Sequence, residues 1–394
     1  MSLQQLSHRR YVSPLHPSVG RTPSFALLST FPPTACGLAT FASALARGLE
    51  QIGVPHVGVV QCSDDSDVIH DQRVLAQLRP NDPTSQRDAL RALNGHDVVL
   101  LQHEYGIFGG LDGEQVLDVL DGIESNVITT LHTVPLTPSL RQRQILEEVV
   151  ARSACAVTMT DTARRRLLST YDVSPSSVVT IPHGATLPHS IAPTSAGTPL
   201  LLTWGLIGPG KGIEWVLDAL ALVGTQMTPP RYVIAGQTHP KVVAREGERY
   251  REMLEQRART LGVDQYVTFD SKYRSLAELM DLIADATCIV LPYESTDQIT
   301  SGVLVDAVAA GRPVIATAFP HAVELLADGA GVVVPHRDPA ALARAIVRIS
   351  TRPDLTRSMS IAAEQLAPRH SWPAVAANYV NLASRVGMSA SEAV

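Results

Sequence analysis

The sequence predicts an α/β protein of two facing Rossmann-like doubly wound domains with an interdomain cleft, and three observations carry that prediction. Short β-rich apolar runs alternate with helical segments, the pattern of a parallel sheet covered by helices. The alternation stops once, after Gly184, in the Pro-, Ser-, Thr- and Ala-rich stretch 187–199 (LPHSIAPTSAGTP), and then restarts. The chain of 394 residues also exceeds the roughly 250 to 300 at which a single core stops growing.

Strands are predicted over 25–30, 56–61, 98–103, 127–132, 156–160 and 178–182 in the first half. The clearest helix is 38–52, which carries Leu38, Phe41, Leu45, Leu49 and Ile52 at helical spacing and ends before Gly53. It follows the first strand through the turn Pro32-Pro33-Thr34-Ala35-Cys36-Gly37. Beyond the linker, strands are predicted over 200–204, 232–235, 266–269, 288–292, 313–316 and 331–334, with helices such as 303–310 between them. A final helical pattern, 372–386, has no strand to pair with. The expected organisation is a first Rossmann-like domain over 22–190, a second over 191–368, and a terminal helix over 369–394 that crosses back to the first.

Composition narrows the function. Hydrophobic residues at 45% and charged residues at 18% exclude a disordered chain. A net charge of −6 with no dense Lys/Arg block argues against a nucleic-acid partner. Cys36, Cys62, Cys155 and Cys288 lack metal-ligand spacing and read as buried free thiols. Asp65-Ser66-Asp67 lies in a polar loop, so neither a metal nor another cofactor is expected. No apolar run reaches the roughly 18 to 20 residues of a membrane span, and 1–21 has no signal-peptide core. A cytoplasmic location is expected, with peripheral contact at the inner membrane face left open. Aromatic residues at 5% speak against a long stacking groove for polysaccharide.

Four segments can carry chemistry. In Gly205-Leu206-Ile207-Gly208-Pro209-Gly210-Lys211-Gly212, between a strand and the helix 213–220, glycines permit close backbone approach, the helix start offers amides and Lys211 adds a cation. The spacing fits neither the phosphate loop of nucleotide triphosphatases nor the dinucleotide fingerprint, and a plain tight turn with a solvated lysine is the alternative. In 298–316 (QITSGVLVDAVAAGRPVIA), Ser301 and Gly302 open a helix that can present amides to phosphate, with Asp306 further along it. Cys36-Gly37-Leu38-Ala39-Thr40 is a small-residue loop after the first strand. His103, Glu104 and His132 sit at predicted strand ends, where an open parallel sheet places its ligands. The alternatives are a core histidine satisfied by backbone for His132 and loop caps for His103 and Glu104.

From Leu291 to Ala316, position by position, the chain resembles the retaining glycosyltransferases of family 4, and it shares their wider pattern from about Phe25 to Arg385. The resemblance implies the GT-B architecture of glycogen synthase-like and mannosyltransferase-like enzymes. It places Asp306 at the carboxylate that holds the nucleotide ribose, and Gln298 at the glutamate that touches the donor sugar. It assigns Lys211 and the amides at Ser301 and Gly302 to the diphosphate, with Gly37, Gly208 and Gly210 allowing close approach. It assigns His132 to the donor sugar near its reacting carbon. Pro182-His183-Gly184 and Ser371-Trp372 resemble structural turns of the family. The chain departs at Leu206, where the family has an arginine, and Arg274 is the expected replacement cation. For His103 and Glu104 the working role is acceptor positioning.

The expected activity is transfer of a hexose, mannose or glucose, from a nucleoside diphosphate sugar to a hydroxyl acceptor with retention of configuration. The acceptor class, whether glycan, lipid or small molecule, is left open. The alternatives are a sugar-nucleotide-binding protein whose catalytic pattern has drifted, and a GT-B enzyme that hydrolyses or isomerises sugar nucleotides.

Overall fold

The structure, a computed structural model, describes residues 22–63, 71–188, 198–272 and 274–391. The loop carrying Asp65-Ser66-Asp67, the segment 1–21 and most of the linker stretch 187–199, including the 190/191 boundary, lie outside them.

The first half builds a seven-stranded parallel sheet from β1 (Phe25–Ser29), β2 (Val57–Cys62), β3 (Val74–Leu78), β4 (Val98–His103), β5 (Asn126–Leu131), β6 (Cys155–Thr158) and β7 (Val178–Thr180), in the order β3-β2-β1-β4-β5-β6-β7. Between the strands run α1 (Gly37–Gln51), α2 (Pro83–Leu93), α3 (Gln115–Asp121), α4 (Leu140–Ala151) and α5 (Asp161–Thr170). The second sheet joins β8 (Leu200–Trp204), β9 (Arg231–Ala235), β10 (Val267–Asp270), β11 (Cys288–Leu291), β12 (Val314–Thr317) and β13 (Gly331–Val334), in the order β10-β9-β8-β11-β12-β13. Its helices are α6 (Ile213–Gly224), α7 (Pro240–Glu246), α8 (Arg249–Thr260), α9 (Leu276–Asp285), α10 (Gly302–Ala309), α11 (Pro320–Leu325), α12 (Pro339–Thr351) and α13 (Pro353–His370), and α14 (Trp372–Ser391) closes the chain.

Each sheet is apolar on both faces, because a parallel sheet roofed by helices on both sides has no solvated face. Leu27, Leu100 and Ile128 point to one face of the first sheet; Leu28, Leu101 and Val127 point to the other. The helices are started by side chains that satisfy free amides. Asp82 accepts from Thr84 and Ser85 at the head of α2, and Ser139 and Ser275 form reciprocal capping boxes with Gln142 and Glu278. Terminal α14 packs on α1 beside the first sheet through Trp372, Val375, Tyr379 and Leu382, and the Tyr379 hydroxyl meets Thr130 Oγ1 at 2.8 Å. Among the described residues no helix is long and apolar enough to cross a membrane.

Strand β3 has no counterpart in the predicted set. It is an edge strand whose middle residues are partly exposed, so its five residues VLAQL form no continuous apolar run.

In both sheets the strand order reverses beside the first strand, between β1 and β4 and between β8 and β11. At such a switch point neighbouring loops diverge and leave a crevice beyond the carboxyl ends of the strands. The loops after β8 and β11 are the two second-domain motifs singled out above.

Candidate active site

The two motifs are packed into one unit. Gly212 lies so close to the loop after β11 that an added Cβ would fall 1.9 Å from the Pro292 carbonyl oxygen. The Glu294 amide donates to the Gly210 carbonyl at 2.9 Å, and Trp215 Nε1 donates to Glu294 Oε1 at 2.9 Å. Lys211 Nζ stands 4.4 Å from the centre of the Tyr293 ring. Gly210 and Gly212 take φ of +86° and +68°, conformations that cost a side-chain-bearing residue free energy. We expect Gly212→Ala to destabilise the protein by about 3 kcal/mol, since both backbone strain and overlap with a carbonyl must be relieved. The urea midpoint measures it, and an unchanged midpoint would show that this turn is free to move.

Ser301 caps α10. Its hydroxyl accepts from the Leu304 amide at 3.3 Å, and its own amide donates to Nδ1 of buried His321 at 2.8 Å. This corrects the expectation that Ser301 offers its amide to phosphate: both polar groups are used within the protein. The amides of Gly302 and Val303, which follow it, make no hydrogen bond among the described residues.

Asp306 lies on the second turn of α10, half-buried, its carboxylate without a hydrogen-bond partner among the described residues. Removal from water raises its carboxyl to about 7. Gln298 is half-buried, its Nε2 donating to the Thr300 carbonyl at 3.0 Å and its backbone carbonyl accepting from the His321 amide.

Arg274 is not a free cation beside Lys211. Its guanidinium is ion-paired with Asp270 at the end of edge strand β10, so its charge is already balanced. Leu206 is therefore not compensated by Arg274.

On the first-domain side, Gly37 is exposed at the start of α1 with open space around it. His132, just beyond β5, sits edge-on to Phe41 with ring centres 4.9 Å apart. Its Nε2 meets Gln102 Oε1 at 2.8 Å, so Nε2 carries the proton and Nδ1 presents a lone pair. Burial, with His183 and His103 nearby, pushes its pKa down to about 3 and keeps the ring neutral. Gln102 was not singled out from the sequence, because a glutamine inside a buried strand gives no local signal.

His103 does not face the cleft. It is fully buried, both ring nitrogens lack partners among the described residues, and burial lowers its pKa to about 4. The expectation that it positions an acceptor is corrected, because the side chain points into the core against Tyr105. Glu104 is half-buried and accepts from the Tyr105 amide at 3.0 Å and from the Thr133 hydroxyl, which ties the loops after β4 and β5 together.

The sequence reading placed Pro182-His183-Gly184 among structural turns, yet His183 reaches the second domain. Its Nδ1 donates to the Gly184 carbonyl at 2.6 Å, which leaves Nε2 as an acceptor, and the ring stands where a Cβ on Gly302 would touch it at 3.0 Å. The first residue of α10 is therefore contacted from across the cleft. No group of three or more His, Cys, Asp or Glu side chains is arranged to hold a metal ion among the described residues.

Comparison with known proteins agrees with this fold. Residues 198–352 match the family described as glycosyl transferases group 1. The chain is similar to the D-inositol 3-phosphate glycosyltransferase of Saccharomonospora viridis, with 30% identity over 253 residues that span 60% of this chain and 57% of that protein. It is also similar to the phosphatidyl-myo-inositol mannosyltransferase of Mycobacterium leprae, with 29% identity over 284 residues, 68% of this chain and 70% of that one. Its fold matches the crystal structure of Anabaena HepE in complex with UDP at a TM-score of 0.73 and 15% identity, covering 92% of this chain and 100% of that one.

Proposed function

We propose that this chain, which has the GT-B fold and whose residues 198–352 match the group 1 glycosyl transferases, transfers a hexose from a nucleoside diphosphate sugar to a hydroxyl acceptor with retention of configuration. The observation that carries the proposal is the joined pair of loops at the β8/β11 switch point. It gathers one cation on Lys211, two amides on Gly302 and Val303, and a carboxylate without a partner on Asp306. Those groups match the parts of a nucleoside diphosphate: amides and cation for the diphosphate, carboxylate for the ribose hydroxyls.

Each remaining group has a step. Gln298 contacts the donor sugar through its amide, which can both donate and accept. His132, neutral and with its lone pair on Nδ1, accepts a hydrogen bond from a sugar hydroxyl. As the glycosidic bond breaks, charge grows on the departing diphosphate, where Lys211 and the α10 amides stabilise it. The acceptor oxygen attacks the same face of the sugar, and its proton passes to the departing phosphate. No metal is called on in this scheme.

Similarity to a D-inositol 3-phosphate glycosyltransferase and to a phosphatidyl-myo-inositol mannosyltransferase supports a hydroxyl acceptor, and the second supports mannose among the hexoses to try. The capture of UDP by HepE supports a uridine donor for the first trial.

The test is thermal stability against UDP-, GDP- and ADP-sugars, because a ligand that binds only the folded chain raises its midpoint by mass action. A shift with one base and not the others is expected, followed by transfer of that sugar to added acceptor. A shift with no turnover for any acceptor would favour a nucleotide-sugar binder instead. The same sugar released to water alone would favour a hydrolase.

A further inference from the structure

The loop that carries Gln298 is covalently part of the second domain, but it is held by the first. Arg166 on α5 is 9% exposed, and its Nη1 donates to the Val134 carbonyl at 3.0 Å and to the Asp297 carbonyl at 3.1 Å. The same guanidinium pairs with Asp297 Oδ1 at 2.5 Å. Thr160 Oγ1, at the head of α5, donates to the Ile299 carbonyl at 3.1 Å. The Ile299 side chain is buried in a first-domain cluster with Leu131, Val134 and Leu167. Glu324 of α11 accepts from the Asp161 and Thr162 amides at 2.9 and 2.8 Å, so a carboxylate of the second domain sits on the positive end of a first-domain helix.

One nitrogen of Arg166 thus binds the carbonyl two residues after His132 and the carbonyl one residue before Gln298. We infer that Arg166 is a positioning residue that sets His132 and Gln298 at a fixed separation across the cleft. The inference rests on the function proposed above. The two carbonyls and the carboxylate all meet the one nitrogen Nη1, which the planar guanidinium holds in a fixed orientation, whereas a lysine ammonium sits on a flexible stem with no such orientation. Among the described residues no hydrogen bond or ion pair joins Arg166 to Lys211 or Asp306, the groups proposed for the nucleotide. The loss of Arg166 is therefore expected to loosen sugar placement and spare nucleotide binding. A misplacement of about 1 Å can cost on the order of 100-fold in rate.

The test compares Arg166→Ala, Arg166→Lys and Asp297→Ala with the wild-type chain. The Asp297 side chain is 48% exposed, so its removal cuts the ion pair without opening a core, while the bond to the Asp297 backbone carbonyl stays and the effect is expected to be smaller than in Arg166→Ala. Hydrogen exchange of the segment 295–300 is expected to accelerate in Arg166→Ala and Asp297→Ala, with exchange in β11 and α10 unchanged. kcat is expected to fall on the order of 100-fold in Arg166→Ala and less in Arg166→Lys, while UDP affinity stays at the wild-type value. Unaltered exchange in 295–300, or a loss of UDP affinity that parallels the loss of kcat, overturns the inference. A wild-type chain that shows no transfer overturns the proposed function instead, and the exchange comparison still decides whether Arg166 holds the loop.

Discussion

Lys211→Ala is expected to lower kcat by roughly 10- to 150-fold, the rate equivalent of a charge-assisted phosphate contact of about 1.5 to 3 kcal/mol, while the protein keeps its fold. The reason for a large effect lies in what surrounds the site. The family's second cation is replaced by Leu206, and Arg274 is bound to Asp270. In the proposed scheme the charge that develops on the departing diphosphate therefore meets the α10 amides and Lys211. The reason for a small structural effect is equally local. Lys211 is half-buried, its ammonium rests against the Tyr293 ring, and it makes no ion pair among the described residues. Cation–ring contact of this kind contributes about 0.5 to 1 kcal/mol at a partly exposed position. Steady-state kinetics together with the thermal midpoint decide the matter. A folded variant with undiminished kcat would remove Lys211 from the mechanism. Lys211→Arg is expected to keep part of the rate, because charge is retained while reach and shape change.

The sequence revealed the sheets better than the site, and the reason is physical. Buried parallel strands must be continuous apolar runs, so β1, β4, β5, β8 and β11 stand out within one or two residues of their observed ends. Strand β3 is at an edge and does not. Glycine-rich turns and helix starts are local in sequence, which is why the loops at Lys211 and Ser301 were visible. Hydrogen-bond commitments are not local. Nothing in the chain around Ser301 indicates that its amide goes to His321, twenty residues on, or that Arg274 is held by Asp270. Nor does the sequence separate His132, which lies just past its strand and is partly open, from His103, which ends its strand and is sealed in the core. His183 was passed over for the opposite reason: its turn reads as structural, and only the docking of the two domains brings it to α10.

Asp306 is the residue at which stability and function are expected to oppose one another. In the unfolded chain its carboxyl titrates near the ordinary value of 3.8, whereas in the folded chain it holds its proton up to about 7. Between those two values the folded state binds more protons than the unfolded state, so this group's contribution to stability is full at low pH and declines as pH rises through 7. Above that, folding retains a buried charge with no partner, at a cost of roughly 1 to 3 kcal/mol once solvent relaxation is allowed for. Asp306→Asn is therefore expected to be more stable than the wild type at pH 8 and equal to it at pH 4, as read from urea midpoints at both values. Donor binding has the reverse dependence. If the carboxylate accepts from ribose hydroxyls, the apparent donor constant of the wild type improves as pH rises through 7. Asp306→Ala raises that constant by roughly 10- to 150-fold at pH 8, the loss of about 1.5 to 3 kcal/mol from a hydrogen bond to a charged group. kcat at saturating donor is expected to stay near the wild-type value, since ribose contacts are made equally before and during the chemical step. An Asp306→Ala effect confined to kcat, or a wild-type donor constant flat across pH 6 to 8, would mean that this carboxylate does not hold the ribose. In that case its half-buried place on α10 would have to serve charge developing elsewhere in the cleft.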